Sequence, residues 1–151
     1  MTDRHTDYLE RLRALIAEHG HAVQGVMPGE RSFGFAYTVG LSQAGQRELL
    51  MIGLPMNAAQ SLLNDIAKRL KDVQELPAEV DRIATVPLRL REVATNSLAE
   101  PLGAFTGLSL PMPTTVVQVL WPCPGGFWPG EPGYSSLCPQ DPTNLEPPVN
   151  H

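Results

Sequence analysis

The sequence predicts a single α+β domain: a mixed, mostly antiparallel sheet covered by two main helices, with a Pro/Gly-rich C-terminal loop and tail. Three observations point there. Residues 3–19 and 57–71 carry apolar side chains at three- and four-residue steps, the helical period. Five short runs elsewhere alternate in character or are continuously apolar, as strands are. At 151 residues and 42% hydrophobic content, the chain can bury one core without disulfides or metal.

Asp3 to His19 forms the first helix, with Tyr8, Leu9, Leu12, Leu15 and Ile16 on one face. Thr2 or Asp3 caps its start, and Gly20 supplies a left-handed stop. Ala22 to Met27 is a short strand, Pro28-Gly29-Glu30-Arg31 a turn, and Phe33 to Val39 the returning strand of an antiparallel hairpin. A polar connection over Gly40 to Arg47 leads to Leu49-Leu50-Met51-Ile52, a run suited to a strand covered on both faces. Asn57 caps the second helix, with Gln60 three places on. Its apolar stripe is Leu62, Leu63, Ile66, Ala67 and Leu70, and Gln60, Asn64, Asp65, Lys68 and Lys71 face water. Residues 72–83 carry no clear signal. Val86 to Val93 is a strand with Val86, Leu88 and Leu90 inward and Arg89 and Arg91 opposite, and Pro87 points to a sheet edge. Gly103 to Pro113 reads as loop, and Thr114 to Leu120 as a β-branched strand. Residues 1–134 thus make the globular domain and 135–151 an irregular tail.

Charge and cysteines narrow the function classes. The formal charge is −5, from 16 acidic and 11 basic residues. That speaks against nonspecific nucleic-acid binding and against a polybasic membrane anchor. The N-terminus is polar through Arg13, no run is long enough to span a bilayer, and the only cysteines are Cys123 and Cys138. The expected setting is cytoplasmic, with both thiols reduced.

The segment Phe33-Gly34-Phe35-Ala36-Tyr37-Thr38-Val39-Gly40-Leu41 is the most informative stretch. Alternation gives it a bulky face of Phe33, Phe35, Tyr37 and Val39 and a nearly bare face of Gly34, Ala36, Thr38 and Gly40. Something must approach the bare face closely, either a helix of the same chain or a flat ligand. This segment, with the Gly20 turn, Glu48-Leu49, Gly53-Leu54, Leu63-Asn64 and Gln118-Val119-Leu120-Trp121-Pro122, resembles the uncharacterised bacterial DUF4262 family over most of residues 8–134. Tyr37-Thr38-Val39-Gly40-Leu41 is the most specific part. The chain departs from the family pattern at His21, where an aromatic is common, at Gln46-Arg47, where His-Pro is common, and at Cys123, where an acid is common. The resemblance implies a small single-domain fold and brings no activity with it.

Glu48 stands just before the apolar run, where a partly desolvated carboxylate can serve as general base or can equally hold a loop through backbone amides. Trp121, Phe127, Trp128 and Tyr134 gather in the Pro/Gly-rich segment as a recognition loop, a lid or a plug of the core. Arg89 and Arg91 project together, either as an anion fork or as a solvated strand face. His19 and His21 straddle a helix end and Cys123 and Cys138 lie far apart, so no metal site is expected. No phosphate-binding loop, dinucleotide fingerprint or hydrolase elbow occurs, and no cofactor is expected. The leading expectation is a binding or interaction module for an unknown small molecule or protein. Its candidate site comprises Tyr37, Thr38, Glu48, Gln118 and Trp121. The alternative is a small hydrolase or transferase with Glu48 as base and Tyr37 as acid or oxyanion donor. A homo-oligomer built through the strand edge near Arg89 or the tail is the third.

Overall fold

The structure is a computed structural model that describes residues 4–26, 34–70, 79–80, 88–96, 98, 101–122, 128–129, 131–132 and 140. The N-terminal helical period becomes helix α1, Arg4–His19. It stops where Gly20 takes a φ of 88° and donates its amide to the Ile16 carbonyl at 2.8 Å, the left-handed stop that the sequence predicts. Strand β1, Ala22–Val26, pairs antiparallel with β2, Phe35–Val39, in the register Ala22↔Val39 to Val26↔Phe35. The expected turn at 28–31 and Phe33 lie outside the described residues.

The segment expected as a plain connection contains a 3-10 turn, Leu41–Ala44, bracketed by Gly40 and Gly45 at positive φ. Strand β3, Leu49–Ile52, follows. Helix α2, Met56–Leu70, starts one residue before the expected cap. Asn57 therefore sits inside the first turn, its Oδ1 accepting from the Ala58 amide at 3.0 Å, and the Pro55 carbonyl takes the Ala59 amide. Pro55 precedes the turn because its missing N–H costs nothing there.

The sheet has the order β1-β2-β3-β6-β5-β4. Here β4 is Glu79–Val80, β5 is Leu88–Ala94, and β6 is Thr115–Leu120. Only β3 and β6 run parallel; the other neighbours are antiparallel. The expectation that the Arg89 strand forms the edge is corrected: β4, from a stretch without a sequence signal, pairs outside it through Val80↔Leu88 and Glu79↔Arg89. Pro87 is outside the described residues. The stretch expected as loop after Gly103 holds a one-turn helix α3, Ala104–Gly107. It forms because Leu102, Ala104, Phe105 and Leu108 are drawn under the sheet and their backbone must be paired there.

Two apolar layers sandwich the sheet. On one side Phe35, Tyr37, Val39, Leu50, Ile52 and Val116 meet Leu9 and Leu12 of α1 and Leu98, Leu102 and Phe105. On the other, Ala36, Leu49, Met51, Val117 and Val119 meet Ala59, Leu63, Ile66 and Ala67 of α2. The bare side of β2 is therefore covered by the protein's own second helix, whose axis comes close because Ala36 and Ala59 present little more than a methyl group each. Among the described residues, no helix is long and apolar enough to cross a membrane.

Candidate functional site

The expected site residues divide between the two sides of the sheet. Tyr37 points into the α1 layer, its ring between Phe35 and Phe105 at 6.2 and 6.1 Å. Its hydroxyl accepts the Ala104 amide at 3.0 Å. Burial pushes this phenol well above its ordinary range, the hydrogen bond from Ala104 working weakly the other way. Thr38, next in the strand, faces away from it.

Glu48 is 1% exposed. The β2–β3 ladder ends at Tyr37↔Leu50. Beyond that point the Leu49 amide donates to Thr38 Oγ1 at 2.8 Å, and that hydroxyl donates to Glu48 Oε1 at 2.9 Å. The same carboxylate accepts the amides of Gly40, Leu41 and Ser42 at 3.0 to 3.1 Å and the Ser42 hydroxyl at 2.8 Å. Five neutral donors thus saturate it, a backbone nest of the kind that holds anions. Its backbone carbonyl takes the Val117 amide, extending the β3–β6 pair. Glu48 is the clamp that fastens the 3-10 turn to the ends of β2 and β3. Its hydrogen bonds run to Thr38 and the turn, while the Tyr37 hydroxyl is spent on Ala104, so the two groups do not converge on a common space.

Gln118 is fully buried on β6, and Arg91 donates to its Oε1 at 2.8 Å. Its amide donates to the carbonyl of Gln140, whose side chain in turn pairs with both the amide and the carbonyl of Trp121. Gln140 thereby fastens itself to the end of β6 at Gln118 and Trp121. Trp121 is half-buried and gives its indole N–H to the Ile52 carbonyl at 3.1 Å. The Arg89 guanidinium stacks 4.1 Å above the Trp128 ring. Both arginines therefore hold other parts of the chain in place. No buried side-chain nitrogen or oxygen among the described residues lacks a partner.

An open groove of about 560 Å³ lies elsewhere, and it touches none of the five expected residues. Its walls are the end of α1 at Leu15 and His19, the Gly20-His21 turn into Ala22 and Val23, and the 3-10 turn at Leu41, Ala44 and Gln46. Gln60, Asn64, Ala67 and Lys68 of α2 complete it. His21 Nε2 lies 2.8 Å from Asn64 Oδ1, an imidazole N–H donated across the groove. His19 at its rim is 3.7 Å from Glu18. Gly40 shapes this region from behind: a Cβ there would lie 3.1 Å from the Gly20 carbonyl and 3.2 Å from His21 Cα, and its φ is 111°. Among the described residues no three His, Cys, Asp or Glu side chains gather as a metal site would require.

A family model for DUF4262, a domain of unknown function, matches residues 15–135. The chain belongs to the DUF4262 family. No curated protein and no solved structure matches it. Every lining residue of the groove falls within the matched DUF4262 span, whereas Gln140 lies beyond it. His21 and Gln46 stand in the groove wall.

The sequence carried a signal for this groove. Gln60, Asn64 and Lys68 recur at four-residue steps, a polar stripe on one side of α2. Such a stripe reads as a solvated face until the fold shows that the Gly20 turn rises beside it.

Proposed function

We propose that this protein is a small-molecule binding module whose contact site is the groove between the end of α1, the start of β1 and α2. The observation that carries the reading is the His21–Asn64 hydrogen bond at the groove wall, flanked by Gln60 and Lys68 and floored by apolar side chains. An apolar concavity with a few convergent polar groups is the usual form of a ligand site, and about 560 Å³ suits a metabolite-sized molecule. The polar groups that looked most chemical in the sequence, Thr38, Glu48 and Gln118, are instead consumed by internal hydrogen bonds.

The test is a screen of a metabolite library by amide NMR shifts on labelled protein. Binders should move the amides of Gly20, His21, Gln60 and Asn64, and His21→Ala with Asn64→Ala should weaken them while thermal melts show a folded chain. A library whose hits leave those four amides still would overturn the reading.

A further inference from the structure

The chemistry of the groove wall narrows its occupant, an inference that rests on the reading just given. We propose that the groove takes a small organic carboxylate, its anionic end at Lys68 and Asn64 and its apolar body along Leu15, Leu41 and Ala67.

The chain is acidic overall, with 16 carboxylates against 11 basic residues, yet none of the residues lining this groove is Asp or Glu. Lys68 is the one lysine of this lining, and among the described residues no ion pair engages it. A cationic ligand would meet that ammonium with nothing to neutralise either charge. Asn64 has its oxygen taken by His21, which leaves its two amide N–H groups as the groups it can offer. One helical turn further on, about 6 Å along the axis, Lys68 adds an ammonium on the same side. A carboxylate accepts from both at once. Asp65, beside Asn64 on α2, is not part of the lining, and Glu18 is paired with His19 at the α1 end, so the lining's one lysine, Lys68, marks the end for the anion. Inorganic phosphate would leave the apolar strip unused, and the wall offers no arginine fork to grip it.

The experiment titrates labelled protein with hexanoate, with its neutral counterpart hexanamide and with inorganic phosphate at one ionic strength. Hexanoate should shift the amides of Gly20, His21, Asn64 and Lys68 and bind about three- to tenfold more tightly than hexanamide, as one partly exposed charge contact allows. Lys68→Met should erase that difference and Lys68→Glu should reverse it. Both replace an exposed side chain, and melting curves confirm the fold. Equal binding of hexanamide and hexanoate overturns the anionic class but leaves the groove reading standing. Phosphate as strong as hexanoate overturns the organic body. Silence from hexanoate while other library members move the groove amides also overturns this inference alone; silence from the whole library overturns both.

Discussion

Replacing Glu48 by Gln tests whether the buried carboxylate is a structural clamp. Gln has the same shape but exchanges one acceptor oxygen for a donating NH2. Oε2 receives the Gly40 and Ser42 amides and the Ser42 hydroxyl, and Oε1 receives the Leu41 amide and the Thr38 hydroxyl. The NH2 will therefore settle at the Oε1 position, where it disturbs fewer bonds. Thr38 can rotate its proton away, but the Leu41 amide is then left facing another donor. One orphaned buried amide, together with the loss of charge assistance in the remaining bonds, costs about 2–4 kcal/mol. That is a large part of the roughly 5–15 kcal/mol that holds a domain of this kind together. Urea unfolding followed by tryptophan fluorescence should show the midpoint falling by about 1–2 M with an unchanged slope. Thr38→Val should be partly redundant with it, and the double variant should lose about 1 kcal/mol less than the sum. A Glu48→Gln midpoint within about 0.3 M of the parent would refute the clamp.

Three other outcomes are expected. Gly40→Ala forces a side chain into a φ of 111° and against the Gly20 and His21 backbone, and should cost about 2–3 kcal/mol in the same urea assay. Burial raises Tyr8 from 10.0 to about 12 and raises Tyr37 further. The folded chain therefore holds these protons more tightly than the unfolded one. Their contribution to stability is intact below pH 10 and is lost as the pH climbs through about 12, so tyrosinate absorbance should rise together with loss of near-ultraviolet dichroism. Gln140→Ala removes the side-chain partners of both Trp121 backbone groups, while its backbone carbonyl can still accept from Gln118, and should cost about 1–3 kcal/mol, with faster hydrogen exchange at Trp121.

The strands and both long helices were legible because each carries its own period and β2 carries two distinct faces. The two-residue β4 and the one-turn α3 were not. Each is too short to show a period, and each is held by its neighbours, β4 by the β5 ladder and α3 by Phe105 and Leu102 beneath the sheet. The edge inference from Pro87 failed for the same reason, because the strand that covers Leu88 leaves no trace in the sequence. Tyr37, Thr38, Glu48, Gln118 and Trp121 were read as site candidates from their residue types and places in the strands. What one sequence cannot show is whether a polar group between strands faces a ligand or the chain's own amides, since both need the same residue types.

The most visible segment of the sequence nonetheless bears on the groove, from behind. Gly40 admits the Gly20-His21 turn to within contact of the β2 end, and Glu48 ties the amides of Leu41 and Ser42 to the same point. Leu41 on one side and His21 on the other are groove walls. The Tyr37-Thr38-Val39-Gly40-Leu41 motif and Glu48 therefore set the distance between those walls, and α2 supplies the third by packing Ala59 and Leu63 onto Ala36. A rigid, fully satisfied brace is what a preorganised site requires, because a wall free to shift would give up binding energy to order itself. The bare face of β2 lets the helix that carries Asn64 and Lys68 pack close enough for His21 to reach Asn64.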